Sequence, residues 1–350
     1  MKVRGANSTM DLQIDVCNDI NEKEWNSVVH NSKHGSIFHT FEWVDVLEKE
    51  FGKKILIGAW LNGKLVGIFP CIIGSKDQPT KHIRSFRLGF DYGGPVSTID
   101  DRQIIMELIS KFEEIAKKEA LKATIATTLD FNFATELEAL GYTKEMGATF
   151  IVDLKKSVDE LWRNLDRSAR KSIRKASEQD FCIRSVKNRI EIEKYYELFM
   201  ETAKRAGFGP DSRSKNFYYN IWDNLHEKGL AKIFIVEENN ETISELCVLL
   251  FKKTITAFCS GTLNKYLSLQ PNSLLFWHVI EWGHKNGFEY FDLAGADLPD
   301  LYRFKKKWGG NLTNYYLFTK TYPSLSYRFL MSYYNFRRSF YKIKNRLFKK

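Results

Sequence analysis

The sequence predicts an α/β (α+β) protein in which one unit with a mixed, mainly antiparallel sheet occurs twice. Two pairs of predicted strands are joined by Asn62-Gly63 and by Asn239-Asn240, and Asn-Gly between apolar runs is a strong hairpin signal. After each hairpin the same series follows: a third strand, a long helix, a strand, a Gly-aromatic pair and a closing strand. The two series lie about 170 residues apart, which is the size of one domain.

The first half has alternating apolar runs and helical periodicity. Its predicted strands are Lys54–Trp60, Lys64–Ile73, Arg84–Gly89, Ala123–Thr128 and Ala148–Leu154. Its predicted helices are Glu22–His30, Thr40–Phe51, Asp100–Ala120 and Ala134–Leu140. In Asp100–Ala120 the apolar residues fall on one face, as expected for a helix packed on a sheet.

The second half repeats this order. Its predicted helices are Val158–Glu178, Glu191–Ala206, Phe217–Lys228 and Asn272–Lys285, and its predicted strands are Lys232–Glu237, Ile243–Phe251, Thr254–Cys259, Tyr290–Leu293 and Thr313–Thr319. We therefore predict a first domain at 12–155, a second at 156–322 and a separate segment at 323–350. Two unrelated α/β halves remain the alternative, because residue identity between the halves is slight.

Composition narrows the class of protein. With 43% hydrophobic and 14% aromatic residues, the chain is expected to fold as a globular protein. The N-terminus has no apolar segment typical of a secretion signal, and no run of about 18 apolar residues occurs. The five scattered cysteines are expected to be free thiols, and the seven histidines lack metal-binding spacing, so we predict no metal. These features predict a cytoplasmic protein, and we expect a monomer.

The net charge of +10 is concentrated at the C-terminus. Residues 323–350 contain eight lysines and arginines and no acidic residue. Apolar residues there recur at helical spacing: Leu325, Phe329, Tyr333, Phe336, Phe340, Ile343 and Leu347. A basic amphipathic helix over 325–348 suits the surface of an anionic membrane. The alternative is a terminal helix that docks on its own domain.

Cations also crowd the predicted helix Val158–Glu178. They are Arg163, Arg167, Arg170, Lys171, Arg174 and Lys175, of which the first five are the candidate phosphate-binding residues, and apolar residues occupy another face. Contacts with a nucleic-acid backbone require phosphate-binding cations and no sequence code, so binding of tRNA phosphates is one interpretation. A solvated basic face is the other.

The segment Gly287–Gly310 places a strand before a basic helical turn, Tyr302-Arg303-Phe304-Lys305-Lys306-Lys307-Trp308. Ligands of α/β sheets collect beyond the carboxyl ends of strands, and a lysine there can hold a phosphate or an oxyanion as a point charge. Asp292, at the end of the strand, could orient or deprotonate an incoming ammonium, or it could simply cap a turn.

Several stretches together resemble the FemABX family of peptidyl aminoacyltransferases, whose members have two tandem GNAT (acyl-CoA N-acyltransferase-like) domains. They are FHTFEW (Phe38–Trp43), LWRNLDRSARKSIRKA (Leu161–Ala176), FMETAKRAGF (Phe199–Phe208), PNSLLFWHVIEWGHKNGFEYFDLAG (Pro271–Gly295) and YRFKKKWGG. The likeness covers roughly residues 15–320 in the family's order. It implies two tandem GNAT-like domains followed by the basic C-terminal helix. The protruding coiled-coil arm of FemA is absent.

The resemblance also implies site residues. Lys305 matches the lysine of the family's Phe-Lys motif, which lies against the acceptor phosphate and the reacting carboxyl, and Asp130 matches an acidic turn residue, although Phe131 replaces the family's proline. The substrate-binding positions implied are Arg213, Tyr302, Arg303, Phe304 and Cys259. Cys259 stands on the strand where the family can carry tyrosines, so the acceptor is left open.

By this resemblance the protein forms an amide on a peptide-type or sugar-type precursor of the cell envelope, with aminoacyl-tRNA as co-substrate and no cofactor. The acceptor carries phosphate, and the enzyme could work at the inner face of the plasma membrane. Acyl-CoA is less favoured as donor, because the helix openings Ser268–Ser273 and Thr98–Arg102 lack the glycine-rich turn that holds a pyrophosphate. The alternatives are an acyl-CoA-dependent N-acyltransferase of surface polysaccharide synthesis and a non-catalytic membrane-surface or RNA-binding protein.

Overall fold

Fourteen strands form one continuous sheet in the computed structural model, which describes residues 2–5, 8–74, 81–88, 91–99, 101–129, 133–205 and 214–322. The strands are β1 (Lys2–Gly5), β2 (Ser8–Val16), β3 (Lys53–Leu61), β4 (Lys64–Ile73), β5 (His82–Ser85), β6 (Val96–Ser97), β7 (Lys122–Ala126), β8 (Thr143–Asp153), β9 (Cys182–Ser185), β10 (Ala231–Glu238), β11 (Glu241–Phe251), β12 (Thr254–Thr262), β13 (Tyr290–Asp292) and β14 (Asn311–Thr321).

Ten α-helices cover the faces of this sheet in the described part of the chain. They are α1 (Glu22–Asn31), α2 (Phe41–Phe51), α3 (Arg102–Glu119), α4 (Ala134–Ala139), α5 (Val158–Asn164), α6 (Arg167–Ser177), α7 (Ile192–Arg205), α8 (Lys215–Ile221), α9 (Pro271–Lys285) and α10 (Pro299–Lys306). None of the described helices is long and apolar enough to cross a membrane. Residues 323–350, with the predicted basic helix, lie outside the described residues.

The sheet has the same order of strands on either side of its centre. It runs β1-β2-β3-β4-β5-β7-β14-β8-β13-β12-β11-β10-β9, and β6 pairs with β4. All its neighbours are antiparallel except two equivalent pairs, β5 with β7 and β12 with β13. The predicted duplication and the mixed, mainly antiparallel class are therefore confirmed.

Both predicted hairpin turns are present. Asn62 and Gly63 have φ of 50° and 79°, and Asn239 and Asn240 have φ of 50° and 64°. Positive φ at both central positions is what a two-residue hairpin loop needs to follow the twist of its strands, and asparagine and glycine adopt it at low cost.

The two halves exchange their closing strands. Strand β14, from the end of the second half, pairs with β7 and β8 of the first half. Strand β8, from the end of the first half, pairs with β13 of the second half. The predicted domain boundaries fall just after these two strands, so the sheet itself crosses the boundary between 155 and 156.

Three predicted elements are corrected. The helix predicted at Val158–Glu178 is two helices, α5 and α6, because Leu165 is extended and the Asp166 side chain caps α6 by accepting from the Ser168 N–H at 2.7 Å. The strand predicted at Arg84–Gly89 is β5, which ends at Ser85. The helix predicted at Phe217–Lys228 is α8 followed by a π-helical turn at Trp222–His226.

Each half has its own core, and a third cluster joins them. One sheet face of the first half packs on α3, and the corresponding face of the second half packs on α6, α9 and α10. The joining cluster lies on the opposite face and contains Phe38 and Trp43 from the first half with Phe217 and Phe258 from the second. Trp43 and Phe258 meet edge to face, with ring centroids 5.4 Å apart.

Candidate active site at the junction of the two halves

Lys305 lies on α10 and is only 7% exposed. Its ammonium Nζ donates to the carbonyl oxygens of Ala294 (3.0 Å) and Gly295 (2.6 Å), which follow β13. The cation predicted from the sequence is therefore directed at the turn beyond the carboxyl end of a strand, where β13, β8 and β14 adjoin.

The turn at Ala294 has a left-handed conformation that alanine seldom adopts, with φ of 58°. Three neighbours hold it. Its N–H donates to Asp292 Oδ1 at 2.8 Å, and its carbonyl accepts from Lys305 Nζ. The same carbonyl lies 2.9 Å from Thr149 Oγ1, whose single proton it shares with Asp292. Unusual backbone that surrounding groups hold in place is typical of functional sites.

Asp292 is buried and accepts three hydrogen bonds. The donors are Ala294 N–H, Thr149 Oγ1 of β8 (2.5 Å) and the Tyr92 hydroxyl (3.0 Å). Tyr92 belongs to the loop between β5 and β6, so this carboxylate joins the two halves. Burial is the main cause that raises the pKa of Asp292, and the three donors and the nearby Lys305 act in the opposite direction.

A second carboxylate closes the same turn. Asp297 accepts from the Ala148 N–H at 2.8 Å, from the Tyr315 hydroxyl at 2.7 Å and from the Arg87 guanidinium at 2.8 Å. Arg87 comes from the first half and also lies over the Tyr315 ring. The loop after β13 is thus fixed to β8, to β14 and to the first half.

Burial and the two nearby carboxylates have opposite effects on the pKa of the Lys305 ammonium. Burial lowers its pKa to about 8, while Asp292 and Asp297 favour the charged form. A lysine with this pKa is still mostly protonated at neutral pH, and it loses its charge as the pH rises above about 8.

The other predicted residues of α10 are spread over different environments. Tyr302 packs edge to face on Phe150 at 5.2 Å, and Phe304 packs on Phe276 at 5.0 Å, so both rings contribute to the core of the second half. Arg303 is exposed and pairs with Asp300. Of the predicted residues Tyr302, Arg303, Phe304 and Lys305, the structure thus brings Lys305 to the turn at Ala294 and Gly295, hereafter the junction turn.

Cys259 packs in the cluster that joins the halves. It is buried opposite Cys247 in the β11–β12 ladder, and all five cysteines are free thiols. The predicted residues Asp130 and Arg213 lie outside the described residues. For these three positions a role in catalysis or substrate binding stays a prediction.

The predicted row of cations is divided by the break between α5 and α6. Arg163, Arg167, Lys171 and Arg174 are exposed. Arg170 instead turns back to the end of α5, where it donates to the carbonyl oxygens of Arg163 (3.0 Å) and Leu165. Cations near a helix C-terminus satisfy its last carbonyls, so Arg170 is placed to cap α5. Four of the five predicted phosphate-binding cations are therefore exposed, and phosphate binding by all five stays a prediction.

The capping role of Arg170 can be tested by comparing its contribution to stability with that of the exposed Lys171. We expect Arg170→Ala to lower the free energy of unfolding by about 1 kcal/mol, because the α5 carbonyls lose their partner. Lys171→Ala, one residue further and exposed, should leave stability within about 0.5 kcal/mol. Urea unfolding of the two variants checks the prediction, and equal stabilities would contradict it.

Tyr92, Thr149, Asp297 and Tyr315 were not predicted as site residues. Tyr92 lies in Tyr92-Gly93-Gly94-Pro95, which the sequence indicates only as a turn. Thr149 and Tyr315 look like ordinary strand residues. The exchange of β8 and β14 brings Thr149 and Tyr315 to the turn that Lys305 contacts, and no local pattern signals this exchange.

Comparisons with known proteins agree with this architecture. An Acetyltransferase (GNAT) domain profile matches residues 163–306. The Lipid II:glycine glycyltransferase of Staphylococcus epidermidis is 21% identical over 384 aligned residues, which cover 84% of this chain and 90% of that protein. The crystal structure of FemX has a TM-score of 0.70 at 17% identity and covers 92% of this chain and 99% of its own.

A tandem GNAT protein from the clavulanic acid biosynthesis pathway is also similar in fold. Its TM-score is 0.59 at 11% identity, with 90% of this chain and 99% of that chain covered. These matches extend over both halves, whereas the domain profile covers only part of the second. The chain therefore has a tandem GNAT fold, and it resembles proteins of the FemABX family.

Proposed function

We propose that the protein is an aminoacyltransferase that forms an amide bond on a phosphate-bearing, peptide-type precursor of the cell envelope, with aminoacyl-tRNA as the donor. Its relatives named Lipid II:glycine glycyltransferase support this class of acceptor. The observation that carries the proposal is the buried Lys305 ammonium at the junction of the two halves, beside Asp292 and Asp297.

The reaction needs a neutral amine and stabilisation of the charge that develops on oxygen. The acceptor amine attacks the ester carbonyl of the aminoacyl group, a C–N bond forms, and the C–O bond to the tRNA ribose breaks. The proton lost by the amine ends on the released ribose hydroxyl. Lys305 is suited to hold the oxyanion, because a preorganised cation in a dry site stabilises charge more than water does.

The start of α9 supports a donor other than acyl-CoA. A pyrophosphate is commonly held by free N–H groups at such a helix start. Here Pro271 has no N–H, and the N–H groups of Ser273 and Leu274 donate to the Gln270 carbonyl at 3.0 and 3.4 Å. The exposed cations Arg163, Arg167, Lys171 and Arg174 offer an alternative anion-binding surface for tRNA.

Purified protein tests the donor directly. With a soluble muropeptide acceptor, we expect transfer from radiolabelled aminoacyl-tRNA, its loss after RNase treatment, and none from the same acyl group on CoA. RNase-resistant transfer from acyl-CoA would overturn the proposed donor and favour an N-acyltransferase.

We further propose that the protein works in the cytoplasm, as a monomer, at the inner face of the plasma membrane through residues 325–348. Their cations would add about 1 kcal/mol each to attraction by an anionic surface. A chain ending at Tyr322 should lose sedimentation with phosphatidylglycerol vesicles and keep its activity on a soluble acceptor. Unchanged sedimentation would contradict this role.

A further inference from the structure

Asp292 is the point at which four structural elements meet near Lys305. It lies on β13, it receives Thr149 from β8 and Tyr92 from the first half, and it accepts the N–H of Ala294, whose carbonyl contacts Lys305. Its exposed fraction is 3%, so these contacts are shielded from water. All three donors occupy the carboxylate, which leaves it poorly suited to remove a proton from substrate.

We propose that Asp292 is a positioning residue that keeps Lys305 directed at the reacting carbonyl and positively charged. Through its hydrogen bond to Asp292, Tyr92 makes the position of Lys305 depend on the first half. The inference rests on the proposed function for its catalytic consequence, and it assigns the parts played by Asp292 and Tyr92.

The geometric part follows from the backbone at Ala294. The left-handed turn aims the carbonyl of residue 294 at Lys305, and Asp292 holds the N–H of the same residue. Without the carboxylate, this N–H and the two hydroxyls lose a buried partner, and the turn is free to relax. Lys305 would then lose the carbonyl that directs its ammonium.

The electrostatic part follows from the charges around Lys305. Asp292 on β13 and Asp297 in the following loop both favour the ammonium. The tyrosines facing the turn are Tyr92 from the first half and Tyr315 from β14, while Arg87 is paired with Asp297. Because Asp297 is also paired with Arg87, Asp292 is, of these two carboxylates, the one whose charge acts mainly on Lys305.

Tyr92 extends the arrangement into the cluster that joins the halves. Its ring packs edge to face on Phe38 at 5.5 Å and on Tyr315 at 5.2 Å. A shift of the first half on acceptor binding would therefore reach Asp292 through one hydroxyl. Tyr92→Phe removes that hydroxyl and keeps the ring contacts.

The test compares Asp292→Asn, Tyr92→Phe and the control Asp153→Asn, whose carboxylate lies on β8 and accepts from the Lys155 N–H. In the wild type, the contribution of charged Lys305 to kcat/KM is lost as the pH rises through about 8. In Asp292→Asn this loss should begin at a lower pH, since the variant lacks a charge that raises the Lys305 pKa. A shift of one pKa unit lowers activity above the pKa roughly tenfold.

The predicted signature is partial rescue of Asp292→Asn at low pH. Tyr92→Phe should lower kcat more than it changes KM, and Asp153→Asn should match the wild type throughout. A uniform loss in Asp292→Asn with an unshifted pH profile would overturn the electrostatic part. An unchanged kcat in Tyr92→Phe would overturn the proposal that the first half affects Lys305 through Tyr92.

A measurement without substrate separates this inference from the proposed function. NMR titration of ¹⁵N-labelled lysine Nζ should give a lower pKa for Lys305 in Asp292→Asn than in the wild type. An equal pKa overturns the inference even if aminoacyl transfer is found. A lowered pKa in a protein without aminoacyl-tRNA activity would refute the proposed function alone.

Discussion

Replacing Lys305 by methionine should lower kcat/KM for aminoacyl transfer by about 10²–10³-fold, the loss typical when one oxyanion donor is removed. Methionine is unbranched and apolar and fits a position that is only 7% exposed, so the fold should persist. The variant loses the two hydrogen bonds to the carbonyl oxygens of Ala294 and Gly295. It also loses the positive charge that Lys305 places at the junction turn. Single-turnover rates at saturating donor measure the effect on chemistry.

Lys306→Met is the matched control, because Lys306 is the next residue on the same helix and is exposed. Its activity should stay within about twofold of the wild type, since exposed substitutions away from special features change little. Lys305→Arg should recover little activity, because the longer planar guanidinium does not replace a point charge at a buried site. Equal activities of Lys305→Met and Lys306→Met would exclude Lys305 from catalysis.

The sequence predicted what depends on local chemistry. The hairpin turns at Asn62-Gly63 and Asn239-Asn240 could be predicted because these residues tolerate positive φ. The repeated order of helices and strands could be predicted from the periodicity of the apolar residues. Lys305 was predicted from a resemblance and from its place after a strand. The break at Leu165 has a local signal as well, because Asp166 followed by Ser168 is a pattern that favours a new helix start.

The partners of Lys305 depend on long-range pairing and could not be predicted in this way. Tyr92 and Asp292 are separated by 200 positions in the chain, and Thr149 and Asp292 by 143. The contact between Thr149 and Asp292 requires β8 to pair with β13 of the other half. An unexchanged duplicate would have the same hairpins, the same periodicity and the same composition, so no sequence pattern distinguishes the two arrangements.

Because the halves exchange strands, we expect a large loss of stability when they are produced separately. Produced separately, residues 1–154 and 155–322 should each fail to fold stably, although each has the length of a domain. The first fragment leaves β7 without β14 and β8 without both neighbours, and the second leaves β13 without β8 and β14 without both neighbours. Unpaired strands expose backbone polar groups and edges that promote aggregation. Soluble yield and cooperative thermal unfolding of each fragment measure the outcome.

A cleaved full chain is the control for chain length and for the position of the cut. A protease site inserted between Leu154 and Ser157 follows β8 and precedes α5, so cutting there leaves every strand pair in place. The two pieces should then remain associated and keep their aminoacyl-transfer activity, and coexpressed fragments should form the same complex. If residues 1–154 instead gave a monomer with cooperative unfolding, β8 would be able to pair with β7 in its own half. The junction that positions Lys305 would then depend on docking of two finished domains, and Tyr92→Phe should weaken their association.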